Sequence, residues 1–222
     1  MTTPPKYLLL AVAILGSACT GNTGTTDPSD ETDVEVGYIG GWPVNPDKDA
    51  LGTGPFDGAM FKETQLPRLS LEDQYGEMVD LYDFSGPPGV VVIESVSKDY
   101  EGCREMSALL AGQDSELAND EPGRAQIREI VSDGKIWWIR AMAGNVGSGD
   151  IQNWASWYPA PQSPVLLDEN GHLAQMFVRY WGDTRTGGYP AITVVDRATM
   201  KVVAEPDDSL RNLDELVRTY GD

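Results

Sequence analysis

Cysteine is nearly missing from this 222-residue chain, with only Cys19 and Cys103 present. A scaffold stapled by several disulfides is excluded. Cys19 ends an apolar N-terminal run, so Cys103 is the one thiol in the body of the chain, and an internal disulfide cycle is not expected. Histidine occurs once, at His172. It follows Asp168-Glu169-Asn170-Gly171 and is read as a solvated loop side chain rather than a ligand. Asp168-x-Asn170-Gly171 is too short and incomplete for a calcium loop. No metal and no cofactor are therefore expected. Positive charge is scarce as well: 16 Lys and Arg face 35 Asp and Glu, a formal net charge of -19. That balance excludes nucleic acid as a partner, which needs a cationic footprint, and it excludes electrostatic attachment to anionic lipid. The acidic surface is read as a solubility device. Long apolar runs are lacking too. The one at Tyr7 to Leu15 is far shorter than the roughly 20 residues of a membrane-crossing helix.

What is present at the N-terminus has the order of a secretory leader: Met1 to Lys6 with one cation, the apolar Tyr7 to Leu15, then Gly16-Ser17-Ala18-Cys19. Small residues directly before a cysteine resemble the lipobox of bacterial lipoproteins. The resemblance implies removal of a signal peptide, residues 1–18, and acylation of Cys19. The protein would then be exported and lipid-anchored in the cell envelope, periplasm-facing or on the surface. The chain departs from that pattern in having Gly16 three positions before the cysteine, with Leu15 one step further out. The alternative is ordinary cleavage near Ala18, leaving Cys19 free. Residues 19–36 read as an acidic flexible tether: Asp27, Asp30, Glu31, Asp33 and Glu35 are unopposed by any cation, and too little apolar surface is present to fold.

The remaining length makes one ordinary domain with a real core. Residues 37–65 are rich in Gly and Pro and read as an irregular edge segment, with Tyr38, Ile39, Trp42 and Phe56 as anchors. From residue 66 the pattern alternates. Leu66 to Leu71 and Met78 to Leu81 flank Asp73-Gln74-Tyr75-Gly76 and predict a β-hairpin. Val90 to Ile93 is a continuous β-branched run, suited to a central strand covered on both faces. A helix is expected from about Gly102 to Gly112 with Met106, Leu109 and Leu110 inward, and another from Pro122 with Ile127, Ile130 and Val131 inward. Ile136 to Met142 reads as a strand that is apolar except for Arg140. Asp150 caps a short helix bearing Ile151, Trp154 and Trp157. Val165 to Leu167 is a short strand. Leu173, Met176, Phe177 and Tyr180 have helical spacing. Ala191 to Val195 and Met200 to Val203 form a hairpin about Asp196-Arg197-Ala198-Thr199. A last helix follows Asp207 and Asp208, with Leu210, Leu213, Leu216 and Val217 buried. The pairs Trp137-Trp138 and Trp154/Trp157 line either a groove or, more ordinarily, the core.

Strand-helix alternation closed by a hairpin and a helix predicts an α/β fold, a mixed sheet with helices on both faces. The stretch Val90-Val91-Val92-Ile93-Glu94-Ser95-Val96-Ser97-Lys98-Asp99-Tyr100-Glu101-Gly102-Cys103-Arg104-Glu105-Met106 resembles the strand-loop-helix of thioredoxin-like proteins. There an apolar strand leads into W-C-x-x-C and a helix. Gly188-Tyr189-Pro190-Ala191-Ile192-Thr193-Val194-Val195-Asp196 resembles that family's segment of a proline, usually cis, before a strand. The hairpin resembles the N-terminal extension of the redoxin branch, which includes thiol-disulfide oxidoreductases and peroxiredoxins. The resemblance covers about Leu66 to Tyr220 and implies a thioredoxin-like domain over residues 66–222 with an N-terminal β-hairpin extension.

Carried over residue by residue, the resemblance puts Tyr100 where the attacking cysteine belongs, Asp99 at the flanking tryptophan and Cys103 at the resolving cysteine. A phenol with a pKa of about 10 forms no mixed disulfide. The peroxidatic threonine two residues before a reactive cysteine is missing, and so is the two-cysteine, one-histidine set of copper-carrying relatives. Lys98 and Arg104 favour a Cys103 thiolate, but Asp99, Glu101 and Glu105 outnumber them, and the family's geometry puts this position a turn inside the helix. Cys103 is read as a small buried apolar residue, with a monothiol role as the alternative. Pro190, trans on composition alone, is cis by the resemblance, which also implies a peptide groove beside it. The expectation is a domain without dithiol redox activity that binds a protein or peptide in the envelope along Asp99, Tyr100, Tyr189 and Pro190. One alternative is a monothiol oxidoreductase or peroxidase using Cys103 as its catalytic residue. Another is a surface lipoprotein whose fold is only a scaffold. Whether the protein is an enzyme stays open at this stage.

Overall fold

Asp73 turns the chain back on itself by lending one carboxylate oxygen to two backbone donors, the N–H groups of Tyr75 (2.8 Å) and Glu77 (2.9 Å). This local bond set makes an Asx-type turn cheaper than continued extension. It joins β1 (Ser70–Asp73) to β2 (Met78–Asp80), paired antiparallel from Ser70↔Asp80 to Glu72↔Met78. The structure is a computed structural model, and it describes residues 37–116, 124–133, 136–182, 190–206 and 213–220. The expected leader and tether, Tyr189, Pro122 and the segment 207–212 lie outside the described residues.

Beyond the hairpin come β3 (Val90–Val96), α1 (Glu101–Ala111), α2 (Arg124–Ser132), β4 (Ile136–Ala143) and α3 (Ser148–Trp157). They are followed by β5 (Val165–Asp168), α4 (His172–Trp181), β6 (Ala191–Asp196), β7 (Lys201–Ala204) and α5 (Leu213–Tyr220). The strands form one mixed sheet in the order β2-β1-β5-β4-β3-β6-β7. β3 runs parallel to β4, with Val90 opposite Ile136, and antiparallel to β6, with Ser95 opposite Ala191. Both long neighbours leave β3 no edge, and all seven of its residues are buried. Continuous β-branched sequence is what such a doubly covered strand demands.

One face of the sheet packs Val91, Ile93, Ile139, Ala141 and Leu166 against Leu173, Met176 and Phe177 of α4. Trp42, Met60 and Leu66 join the same cluster, so the irregular segment contributes to the core. On the opposite face Val90, Val92, Trp138 and Val194 meet Met106 and Leu109 of α1, Ile127 and Val131 of α2, and Leu213 of α5. Further along that face Val96, Met142 and Val165 meet Cys103 together with Ile151 and Trp154 of α3. α1 stops where Gly112 takes a left-handed conformation (φ +70°) and its N–H bonds back to Leu109.

Residues 37–66 follow the sheet by specific bonds. The Tyr38 hydroxyl donates to Asp83 Oδ2 (2.6 Å), and Asp83 Oδ1 accepts from Asn45 N–H (3.0 Å) and Lys48 Nζ (2.6 Å). Burial first, and that carboxylate second, push the Tyr38 phenol up to about 12. Gly54 donates to Leu66 O at 2.8 Å, and a Cβ there would lie 1.8 Å from Gln65 O, so only glycine permits the approach. Glu63 to Leu66 then runs along β7: Glu63 N–H donates to Val202 O, Val202 N–H to Thr64 O and Leu66 N–H to Met200 O.

Several expectations need correction. Ile39 is 73% exposed and Phe56 55%; the anchors are Trp42 and Met60. Tyr38 and Trp42 carry polar tips that reach Asp83 and Asp73, which an isoleucine cannot do. Trp157 is 61% exposed because α3 ends there, while Ile151 and Trp154 fill the sheet-facing stripe. Asp150 acts from inside the first turn of α3, accepting Gly147 N–H (2.9 Å). His172 is not in a loop; it opens α4, its N–H donates to Asp168 Oδ1 (2.8 Å), and its ring meets Phe56. Asp168, buried, also accepts Ala174 N–H and so serves as the helix cap.

Asp83→Ala is expected to cost about 2–4 kcal/mol, because a buried acceptor of three donors is lost while the donors stay. Urea unfolding checks the magnitude, and limited proteolysis between Tyr38 and Thr53 should accelerate. An unchanged midpoint would show that this carboxylate is not what holds the segment.

Candidate functional site at the β3–α1 junction

β3 delivers the chain to a tight turn in which Tyr100 N–H donates to Ser97 O (3.2 Å) and Arg104 N–H to Tyr100 O (3.4 Å), beginning α1. Tyr100 is therefore the N-cap residue, though its side chain does no capping. It is 44% exposed, and Asp99 beside it is exposed too. Cys103, three residues on, faces the opposite way. Its side chain is fully buried, and its sulfur accepts Ser97 N–H at 3.4 Å. Tyr100 has extended backbone and stands outside the helix, so the first turn of α1 separates a solvent-facing phenol from a core thiol.

Burial, and next the nearby Glu94, push the Cys103 thiol up to about 12; Ser97 N–H and Arg104 pull the other way and lose. Lys98 gives little help because its ammonium is committed to Asp150 at 3.1 Å. Asp150, held by Gly147 N–H and then by Lys98, lies below the ordinary carboxylate range.

Glu94 sits at the middle of an all-buried strand. Its Oε2 accepts the Trp138 indole N–H at 2.7 Å, and its Oε1 has no partner among the described residues. Desolvation lifts this carboxyl to about 7, against the Trp138 bond and the charge of Arg140. Arg140 is its register partner on β4, also buried, and burial lowers its guanidinium to about 10, still cationic at neutral pH. Reasoning from sequence noted Arg140 only as an exception in an apolar strand and assigned Glu94 nothing. The available signal was similar for both: a charged residue directly after an isoleucine, inside a run that is otherwise mostly apolar.

Pro190 immediately precedes β6, and the Ser95↔Ala191 pairing puts it at the end of β3 that enters the Asp99–Tyr100 turn. The backbone thus brings Asp99, Tyr100 and Pro190 to one end of the sheet, with Pro190 half-buried. Tyr189 is outside the described residues. His172 is elsewhere, at the start of α4. Among the described residues no three His, Cys, Asp or Glu side chains cluster as a metal site would require.

No protein-family model matches the chain, and no curated protein matches it. Solved structures do. A thioredoxin-like protein from Bacteroides caccae shares 10% identity, with 73% of this chain and 50% of that one covered, at TM-score 0.50. An uncharacterized conserved protein from Geobacillus kaustophilus shares 18%, covering 73% and 85%, also at 0.50. A putative thiol:disulfide interchange protein DsbE from Chlorobium tepidum shares 17%, covering 73% and 99%, at 0.49. At such identities the likeness is one of fold: the chain is a mixed α/β protein with a thioredoxin-like sheet flanked by helices and a β-hairpin before it.

The raised Glu94 carboxyl ties stability to pH. Between the ordinary Glu value of about 4.3 and the native value of about 7, the folded state holds a proton that the unfolded state has released. Stability is therefore lost as pH rises through that window and levels off above it. Glu94→Gln cannot ionise, so relative to the parent it should gain about 3 kcal/mol between pH 4.5 and pH 8. Urea unfolding of both proteins at the two pH values measures this. A difference that does not change with pH would rule out a neutralised Glu94.

Proposed function

We propose that this protein is an exported, lipid-anchored thioredoxin-like domain that has no dithiol redox activity and binds a protein or peptide of the cell envelope. The anchor is Cys19, and the binding surface runs along Asp99, Tyr100, Tyr189 and Pro190. The observation that carries the reading is the state of Cys103. It is the only thiol among the described residues, it is fully buried, and its pKa is pushed up to about 12.

Two sulfurs must approach to about 2.05 Å to close a disulfide, and the residue at the exposed helix start is a phenol. A lone sulfur attacks only as thiolate. With a pKa of about 12, roughly one molecule in 10^5 carries it at neutral pH. Access is closed as well, since a substrate disulfide has to reach the sulfur in line. What stays available at this end of the sheet is surface: the exposed Tyr100 ring, the acid beside it and the proline before β6. Aromatic residues of this kind supply contact area at low entropic cost and are enriched in binding surfaces. The small-residue run before Cys19 and the acidic stretch after it support a mature protein held to a membrane by acyl chains and a solvated tether.

Thiol modification, turnover assays and lipid labelling test the reading. Iodoacetamide should modify Cys103 slowly in the native protein and rapidly in urea. Insulin reduction and peroxide consumption should show no turnover above background; turnover that disappears in Cys103→Ser would make the protein a monothiol enzyme instead. Expressed as the full chain in a bacterium, the protein should incorporate a labelled fatty acid, and Cys19→Ser should abolish incorporation. Equal labelling of the two would remove the anchor.

A further inference from the structure

A depression of about 380 Å³ opens between the β1–β2 turn and the segment after α3, and Arg140 is the only charged residue in its lining. Trp42, Tyr75, Pro159 and Pro161 give its lining an apolar and aromatic part, and Gln74, whose Oε1 accepts Val165 N–H at 2.9 Å, is its uncharged polar side chain. The two rings are tilted by 39° at a centroid distance of 6.2 Å, and Tyr75 is more than half exposed at the mouth.

Arg140 is unusually placed for a cation. It is 1% exposed and makes no ion pair within 4 Å among the described residues. Two of its five N–H groups are used: Nη1 donates to Tyr158 O (3.0 Å) and Nη2 to Ser163 O (2.7 Å). Nε has no acceptor. Those two carbonyls orient the guanidinium without neutralising it. Burying a cation is costly unless an anion accompanies it. Glu94, the register partner on β3, favours this cation through its charge but bonds to Trp138 and makes no ion pair with it within 4 Å. Asp73, behind Trp42, has its oxygens occupied by the Trp42 indole and the N–H groups of Tyr75 and Glu77.

We infer that this depression is a binding site for an organic carboxylate, its anionic group meeting the Arg140 guanidinium and its apolar body lying between Trp42, Tyr75 and the prolines. The size suits a small molecule or the terminal residue of a peptide, since ligand cavities begin at about 300 Å³. Recognition by planar guanidinium and aromatic wall selects carboxylates over neutral isosteres. Both possible sources share that chemistry: a free aromatic or aliphatic acid, and the C-terminal carboxylate of a peptide.

The test is calorimetric titration of the full chain with phenylacetate and phenylacetamide, and with N-acetyl-Gly-Phe as free acid and as amide. Each acid should bind at least about tenfold more tightly than its amide. The stronger of the two acids identifies the source. Arg140→Gln should abolish the preference. Because that residue is buried, Tyr75→Ala and Ala155→Leu provide variants at the mouth and lining that spare the charge, and each should weaken the acids about tenfold. No saturable binding of either acid up to about 10 mM, equal affinity for acid and amide, or full retention in both lining variants would overturn the assignment.

Discussion

The double burial of β3 is the constraint on which the rest of the molecule depends. A strand with covered faces and two long partners has no solvent to satisfy it, so its side chains must be apolar or find partners inside. Five of its residues are β-branched and apolar. The exceptions, Glu94 and Ser95, bring polar atoms into the middle of the sheet. Everything distinctive at the β3–α1 junction follows from this. The same desolvation that raises the Glu94 carboxyl to about 7 also holds Cys103 as a thiol, and the strand's exit sets where the Tyr100 turn can stand.

The buried indoles show how the polar content of this core is managed. Trp42 donates to Asp73, Trp138 to Glu94 and Trp154 to the Ser107 hydroxyl. Each of these large side chains thereby fills volume and fixes a polar partner at once. The three bonds lie in different places: the hairpin turn, the sheet centre and the α1–α3 contact. Core rigidity is thus spread across the elements rather than concentrated at one network.

Strands and helices were legible where periodicity was strong. The i, i+3, i+4 spacing of α4 and the turn chemistry of Asp196 placed their elements within a residue or two, while β3 runs three residues past its β-branched run and β1 starts at Ser70 rather than Leu66. Legibility failed in two physical situations. A side chain at a helix end, Trp157, carries the right spacing but finds no sheet to cover it. A segment without periodicity, residues 37–66, is held by long-range carboxylate bonds that no local pattern announces. At the junction, the presence of a tyrosine and a single cysteine three residues apart could be read directly from the residues. The Glu94–Arg140 pairing could not, because it exists only through the parallel register of β3 and β4.

The backbone of Glu63 to Leu66 lies against the last strand of the sheet and occupies the N–H and C=O of Val202 and the C=O of Met200 just before it. A rim sealed in this manner offers no template for an extra strand, neither to a copy of the same chain nor to an extended visitor. Self-association by ladder growth is closed off on that side, and whatever the molecule engages there has to be gripped through side chains, with the selectivity that such contacts bring.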